Sequence, residues 1–272
     1  MIDTHLHLWD TGRLSYSWLA GNSRLNRPVT EVDLRVRTAD GRRVVLVEAD
    51  VDAPDVASEA RWLSRLTQEH PAVVHGFVAA VHLTDPHLDR SLDELQALPG
   101  LVGVRQLLQD TTLMADRREE VIRGLNELHR RGLPFDVCVR AAQLNELRRL
   151  LADTTGGPVV LDHMGKPPVG DPWAMDGWRK DLAALAQLAY LRCKLSGLPA
   201  ECRNDDELEH VFAPVIDHAL DCFGPRRCLV GSDWPVSNPG VDWCTRVLDH
   251  VPPENRDDVA EDTALTSYRR LT

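Results

Sequence analysis

The chain has 272 residues, 43% of them hydrophobic and 27% charged, and its 31 basic against 42 acidic side chains leave a net charge of −11 at pH 7. That length and composition suit a globular fold with a large buried core, and with no basic run longer than two residues they argue against nucleic acid or an anionic membrane surface as a partner. An anionic small molecule is not excluded, because a local arginine cluster can override the global sign.

The first predicted strand, Ile2–Leu8, opens almost at the first residue, which leaves no room for a leader peptide, and no apolar run reaches the length of a membrane span. A cytoplasmic location is therefore expected. Further strands are predicted at Val44–Ala49, Val74–His82, Leu101–Leu107, Phe135–Val139, Val159–His163, Leu191–Ser196 and Cys228–Ser232, short and mostly apolar runs. Amphipathic helices are predicted between them at Val56–Glu69, Leu88–Leu98, Arg117–Arg131, Ala142–Ala152, Trp178–Gln187 and Glu207–Cys222, with a last one at Arg256–Leu271. Asp55 and the Asn204-Asp205-Asp206 run supply cap-type residues ahead of two of them. The first strand is followed by a long insertion, Asp10 to Gly41, in which Thr30-Glu31-Val32-Asp33 reads as a capping box for one short helix. Eight strands strictly alternating with helices predict one α/β domain over residues 1–272, a (β/α)8 barrel of the TIM type, in preference to an open sheet. The six cysteines include no C-x-x-C pair, so neither a zinc knuckle nor a redox motif is expected.

Chemistry in such a barrel gathers where the strands end. His5 and His7 are one residue apart near the end of the first strand, and alternation along a strand points both rings to the same side. His163 closes the sixth strand and Asp233 follows the eighth, so three imidazoles and a carboxylate are expected on one rim. That set suits a single Zn²⁺ with an open position, and equally a metal-free site in which the imidazoles stabilise negative charge and Asp233 accepts a proton. Taken singly, His163 could instead bond a loop carbonyl and Asp233 could form a turn. Arg105, inside the fourth strand, must find a partner, either a substrate oxygen or an acidic residue such as Glu48 on the second strand. Ser196 could donate a hydrogen bond at the end of the seventh strand, and Trp9, Trp18 and Trp234 could wall a pocket or pack in the core. His82 closes the third strand and either reaches the mouth or stands in solvent. His75, near the start of that strand, belongs to the opposite rim, and the remaining histidines fall on helices and loops.

These residues resemble the amidohydrolase superfamily, and more closely its sugar-lactonase branch, which holds L-fuconolactonase, L-rhamnonolactonase and 2-pyrone-4,6-dicarboxylate lactonase. The resemblance runs from Asp3-Thr4-His5-Leu6-His7 through Tyr16-Ser17-Trp18-Leu19, Val47-Glu48-Ala49 and Gly103-Val104-Arg105. It continues in Leu161-Asp162-His163-Met164-Gly165-Lys166-Pro167, Lys194-Leu195-Ser196-Gly197-Leu198, Gly231-Ser232-Asp233-Trp234-Pro235 and Ala264-Leu265-Thr266-Ser267-Tyr268. It implies lactone hydrolysis in carbohydrate metabolism, with His5, His7, His163 and Asp233 as catalytic residues and as ligands of one Zn²⁺ if a metal is bound. Arg105, Ser196, Trp9, Trp234 and His82 are the candidate substrate contacts. Binuclear members look to their fourth and fifth strands for further ligands; here those strands offer Arg105-Gln106 and Phe135-Asp136-Val137-Cys138-Val139-Arg140, so two metals are not expected. His82 stands where an acidic residue is more usual in the lactonase branch. The expected partner is a small lactone, with no nucleic acid and no membrane; assembly into a homo-oligomer stays open. The alternatives are a metal-dependent non-oxidative decarboxylase of the related amidohydrolase group, and a sugar-acid binding protein without catalysis.

Overall fold

In the computed structural model, residues 1–237 and 242–269 are described. Eight parallel strands follow one another around a single sheet in chain order. They are β1 (Ile2–His7), β2 (Arg43–Val47), β3 (Val74–Ala80), β4 (Leu101–Leu107), β5 (Phe135–Cys138), β6 (Val159–Leu161), β7 (Leu191–Leu195) and β8 (Cys228–Val230). Backbone bonds from Asp233 N to the His5 carbonyl (2.7 Å) and from His7 N to the Trp234 carbonyl (2.9 Å) join the last strand's extension to the first. The sheet thereby closes as a (β/α)8 barrel, and the seam falls on three of the four residues expected to do chemistry, His5, His7 and Asp233.

The strands form because Val, Leu and Ile dominate them, and because both faces are covered: nearly every strand residue is buried. One apolar cluster lies between the sheet and its surrounding helices. A second joins Ile2, Val45, Val47, Val78, Val102, Val160 and Leu229 to Ala264 and Tyr268, so the C-terminal segment is seated against the strands.

All eight expected strands are present, although several end earlier than expected. β6 stops at Leu161, because Asp162–Gly165 forms a tight turn in which His163 and Met164 adopt φ of 54°. The helix expected from Trp178 starts at Pro172 instead: Asp171 accepts hydrogen bonds from Trp173 N and Ala174 N, and proline suits the first helical position. Asn204 caps the helix Asp205–Phe223 through Glu207 N (2.9 Å), whereas Asp55 makes no cap bond and takes Ser15 N instead (2.9 Å). The capping box in the first insertion forms, with Thr30 N donating to Asp33 Oδ2 (3.0 Å) ahead of the helix Glu31–Arg37. A helix at Trp243–His250, capped by Asp242, was not expected from the sequence. The last predicted helix is split into a π-helical turn, Asp258–Asp262, and Thr263–Ser267; its expected end at Leu271 lies outside the described residues. Among the described residues no helix is long and apolar enough to cross a membrane.

Candidate active site

The carboxylate of Asp233 is the point on which the three imidazoles converge. His7 Nε2 lies 3.5 Å from Asp233 Oδ1, His5 Nε2 3.8 Å and His163 Nε2 3.9 Å, while His5 and His7 approach each other Nε2 to Nε2 at 3.1 Å. Alternation along β1 aims both rings inward, as expected. Asp233 is presented by a left-handed backbone, φ 56°, immediately after β8, and Ser237 Oγ donates to its Oδ2 (2.9 Å). His163 reaches the group from the turn after β6, and its Nδ1 is held 2.9 Å from Ser196 Oγ. Gly197 makes room for that ring: a Cβ there would fall 2.4 Å from His163 Nδ1, and the residue's φ is +71°. His7 Nδ1 is fixed 3.0 Å from the Val47 carbonyl.

Behind the imidazoles lies a buried charge network. Lys194 of β7 is fully enclosed and touches Asp136 of β5, Asp162 Oδ1 (3.0 Å) and His5 Nδ1 (3.1 Å). Side chains from β1, β5 and β7 are not sheet neighbours, so they meet across the barrel lumen. Tyr268 closes the network by donating its hydroxyl to Asp136 (2.8 Å). Arg105 bridges Asp162 Oδ2 (3.2 Å) and Glu48 Oε1 (3.3 Å), so the ion-pair option is the one realised, and the residue also lines the adjacent cavity.

Burial and charge set the protonation states. Burial pushes the His163 imidazole down to about 4, against the pull of Asp233 and Asp162. Burial, with Lys194 alongside, also holds His5 well below the ordinary imidazole range. Burial would raise Asp233, but His163, His5 and His7 outweigh it and keep that carboxyl below the ordinary range. Asp162 likewise stays well below its usual range, because Lys194, His5 and Arg105 overcome burial. Around neutrality the site therefore presents neutral His5 and His163 rings and an ionised Asp233.

A cavity of about 250 Å³ opens beside the group, lined by His7, Arg105, His163 and Asp233 together with Trp18, Asp50, Gln109, Lys166 and Glu201. Lys166 Nζ stands 3.8 Å from Glu201 Oε1. Other expected substrate contacts lie elsewhere. Trp9 is fully buried, its indole N–H donating to the Arg27 carbonyl (2.7 Å), so it props the first insertion and Trp18 takes the wall position. Trp234 turns away from the cavity beneath the Arg37 guanidinium, 5.5 Å from the ring centre. His82 is exposed and lines a neighbouring cavity with Asp52 and Gln106. Ser196 is enclosed and serves the His163 ring rather than the cavity. His75 sits at the opposite rim and meets the Tyr268 carbonyl at 2.8 Å.

Sequence reasoning missed Asp136, Asp162 and Lys194. The signal was there: each is a charge in or just after an apolar strand, the same oddity that singled out Arg105. Lys166 and Glu201 carried no such signal, since they lie in loops and short turns.

His5, His7 and Asp233 offer ligand atoms all within 4.8 Å of one another. A tetrahedral zinc ion with bonds of about 2.1 Å spaces its ligand atoms about 3.4 Å apart, close to the contacts above. His7 and His163 are also held through Nδ1 by oxygens that can accept, the usual support of a ligating histidine, whereas His5 Nδ1 faces the Lys194 ammonium. The residues fit one small divalent cation.

A family model described as amidohydrolase matches residues 2–270. An L-fucono-1,5-lactonase from Burkholderia multivorans is 33% identical over 253 residues, covering 86% of this chain and 82% of its own. A crystal structure of an amidohydrolase from Burkholderia multivorans with bound HEPES superposes with a TM-score of 0.87 at 29% identity, over 99% of both chains. Another, with bound Zn, superposes with a TM-score of 0.85 at 28% identity over the same shares of 99% and 99%.

Proposed function

The chain belongs to the amidohydrolase family, and from that membership we propose that it is a lactonase that opens an uncharged sugar-acid lactone by water attack on the ring ester. The observation that carries the reading is the meeting of three imidazoles and one carboxylate, from β1, the turn after β6 and the end of β8, on the wall of one cavity. The likeness to an L-fucono-1,5-lactonase supports the same chemistry.

In this mechanism Asp233, kept ionised, takes a proton from the attacking water at Oδ1 and returns it to the departing ring oxygen, because an alkoxide leaves poorly unless protonated. Ser237 donates to Oδ2, which leaves Oδ1, the oxygen facing the three imidazoles, for that exchange. The oxyanion that forms at the carbonyl is stabilised by His5, His7 and His163, directly or through a cation that they would hold. His5, His7 and Asp233, with His163 beside them, would hold a single divalent cation, for which zinc is favoured by the nitrogen-rich donor set and by the zinc in a 28% identical amidohydrolase. Bound there, it would polarise the ester carbonyl as a Lewis acid.

The cavity's charges favour an uncharged substrate. Its two cations are engaged, Arg105 by Glu48 and Asp162 and Lys166 by Glu201, while Asp50 and Asp233 add negative charge. A carboxylated lactone would find no unpaired cationic side chain among the described residues of that lining. Trp18 offers a flat apolar wall, and Lys166, Glu201 and Gln109 offer donors and acceptors for ring hydroxyls.

A panel of neutral aldonolactones and carboxylated lactones, assayed by proton release with and without a chelator, tests the reading. Turnover of the neutral group is expected, and loss of turnover on chelation would mark a required metal. Asp233→Asn should lower kcat by about 10²- to 10⁴-fold, the usual worth of a general acid–base, while thermal unfolding confirms that the barrel is intact. Normal hydrolysis by that variant, or no turnover of any lactone by the wild type, would overturn the assignment.

A further inference from the structure

The hydrogen bonds around His5 and His7 run in one direction. The Val47 carbonyl can only accept, so a neutral His7 carries its proton on Nδ1 and leaves Nε2 as a lone pair. His5 Nε2, 3.1 Å from that lone pair, then carries the proton of a neutral His5. His5 Nδ1 is left as the acceptor, and the Lys194 ammonium, 3.1 Å away, donates to it. In this state the two nitrogens facing Asp233 are tied to each other, and only one of them has a lone pair.

Asp162 waits beside the same nitrogen. Its Oδ1 is 3.3 Å from His5 Nδ1, yet both its oxygens are buried without a hydrogen bond among the described residues. Only charge holds them, from Lys194 at 3.0 Å and Arg105 at 3.2 Å. A buried carboxylate rarely goes without hydrogen bonds, so this one marks an acceptor whose partner arrives in another state.

We propose that Lys194 and Asp162 form a tautomer switch on His5 that alternately closes the site and readies it for a divalent cation. In the closed state Lys194 donates to His5 Nδ1 and His5 Nε2–H donates to His7. In the open state the same proton sits on His5 Nδ1 and is accepted by Asp162 Oδ1, while Lys194 keeps its own proton and its contacts with Asp136 and Asp162. No proton is gained or lost; one moves from one nitrogen to the other of a single ring. The Nε2 atoms of His5 and His7 then both turn lone pairs toward Asp233 Oδ1. Lys194 and Asp162 are positioning residues in this scheme, acting through His5, and the scheme holds whatever substrate the cavity takes.

The test uses the full chain labelled with ¹⁵N, freed of metal, with the His5 ring signals identified by their loss in a His5→Gln variant. Histidine ¹⁵N spectra should show His5 protonated on Nε2 without metal and on Nδ1 after saturation with zinc. Calorimetric zinc titration of the metal-free chain should show Asp162→Asn binding about 10- to 100-fold more weakly than wild type, the usual cost of removing a ligand's supporting acceptor. Lys194→Met should bind zinc more tightly, but it leaves Asp136 and Asp162 without their shared cation and is at risk of not folding. The spectra and the isosteric Asp162→Asn variant therefore decide the matter without it. His5 protonated on Nδ1 in the metal-free chain, zinc affinity unchanged in Asp162→Asn, or no zinc uptake by the wild type would each overturn the switch.

Discussion

Asp233 and His163 share one buried wall, yet burial and charge send their proton equilibria to opposite ends of usefulness. A His163 ring pushed down to about 4 is neutral through the physiological range and becomes cationic only in acid. Asp233 is ionised throughout the same range. If a neutral His163 is needed, kcat/KM of the metal-free protein or of any metal-independent turnover should stay level from pH 7 downward and fall as pH drops through about 4. A pH–rate profile bending near the ordinary imidazole value would show that the ring is not so enclosed during turnover. Lys166 lends itself to a different measurement, because its Nζ borders the cavity without touching the imidazoles. A hydrogen bond from a charged donor is worth about 1.5–3 kcal/mol, so Lys166→Met should raise KM for a hydroxylated lactone about 10- to 100-fold and change kcat much less. Equal loss in both constants would assign Lys166 to the chemistry instead.

Elements carry two further consequences. The turn after β7 exists in its present form because Gly197 has a left-handed φ and no side chain against the His163 ring. Gly197→Ala should displace that ring and abolish most turnover, and the left-handed alanine adds a cost of about 1–2 kcal/mol, visible as a lower Tm. The helix Val56–Glu69 meets β2 and the first insertion through Glu59, which accepts from Tyr16 Oη (3.1 Å) and Ala49 N (3.2 Å). Burial, reinforced by the negative charge of Glu48, pushes the Glu59 carboxyl up to about 8. The folded chain thus keeps a proton that the unfolded chain releases near 4.5, so the contribution is complete below that pH and is lost as pH rises toward about 8. Wild-type Tm should therefore decline between pH 5 and pH 8, and Glu59→Gln, permanently neutral, should flatten the decline. Parallel slopes in the two proteins would place the titrating group elsewhere.

At the scale of the whole molecule, the barrel is stitched at the site by the His5–Asp233 and His7–Trp234 backbone bonds and anchored behind it by Tyr268. Tyr268→Phe removes both hydroxyl contacts with Asp136 and should cost about 1–3 kcal/mol, because a buried carboxylate loses a donor that nothing replaces. Thermal unfolding of that variant reads the cost directly; an unchanged Tm would mean that Lys194 alone satisfies Asp136. Much of this architecture was legible beforehand. Short apolar runs alternating with amphipathic stretches marked the strands of the barrel, and the i, i+2 histidines on β1 had to share a face. The helix at Trp243–His250 was not legible, because its signal, Asp242 at the cap, is common in turns.

Strand count, strand order and the side on which His5 and His7 emerge were determined by the sequence alone, because periodicities of two and 3.6 residues are local properties of a chain. Tertiary structure decided which charges would meet. Lys194 finds Asp136 across 58 residues and His5 across 189, and only closure of the barrel brings them into one lumen. It also decided that Trp9 would prop a loop while Trp18 faced the cavity, since packing between distant segments, and no local pattern, selects among equivalent aromatic rings.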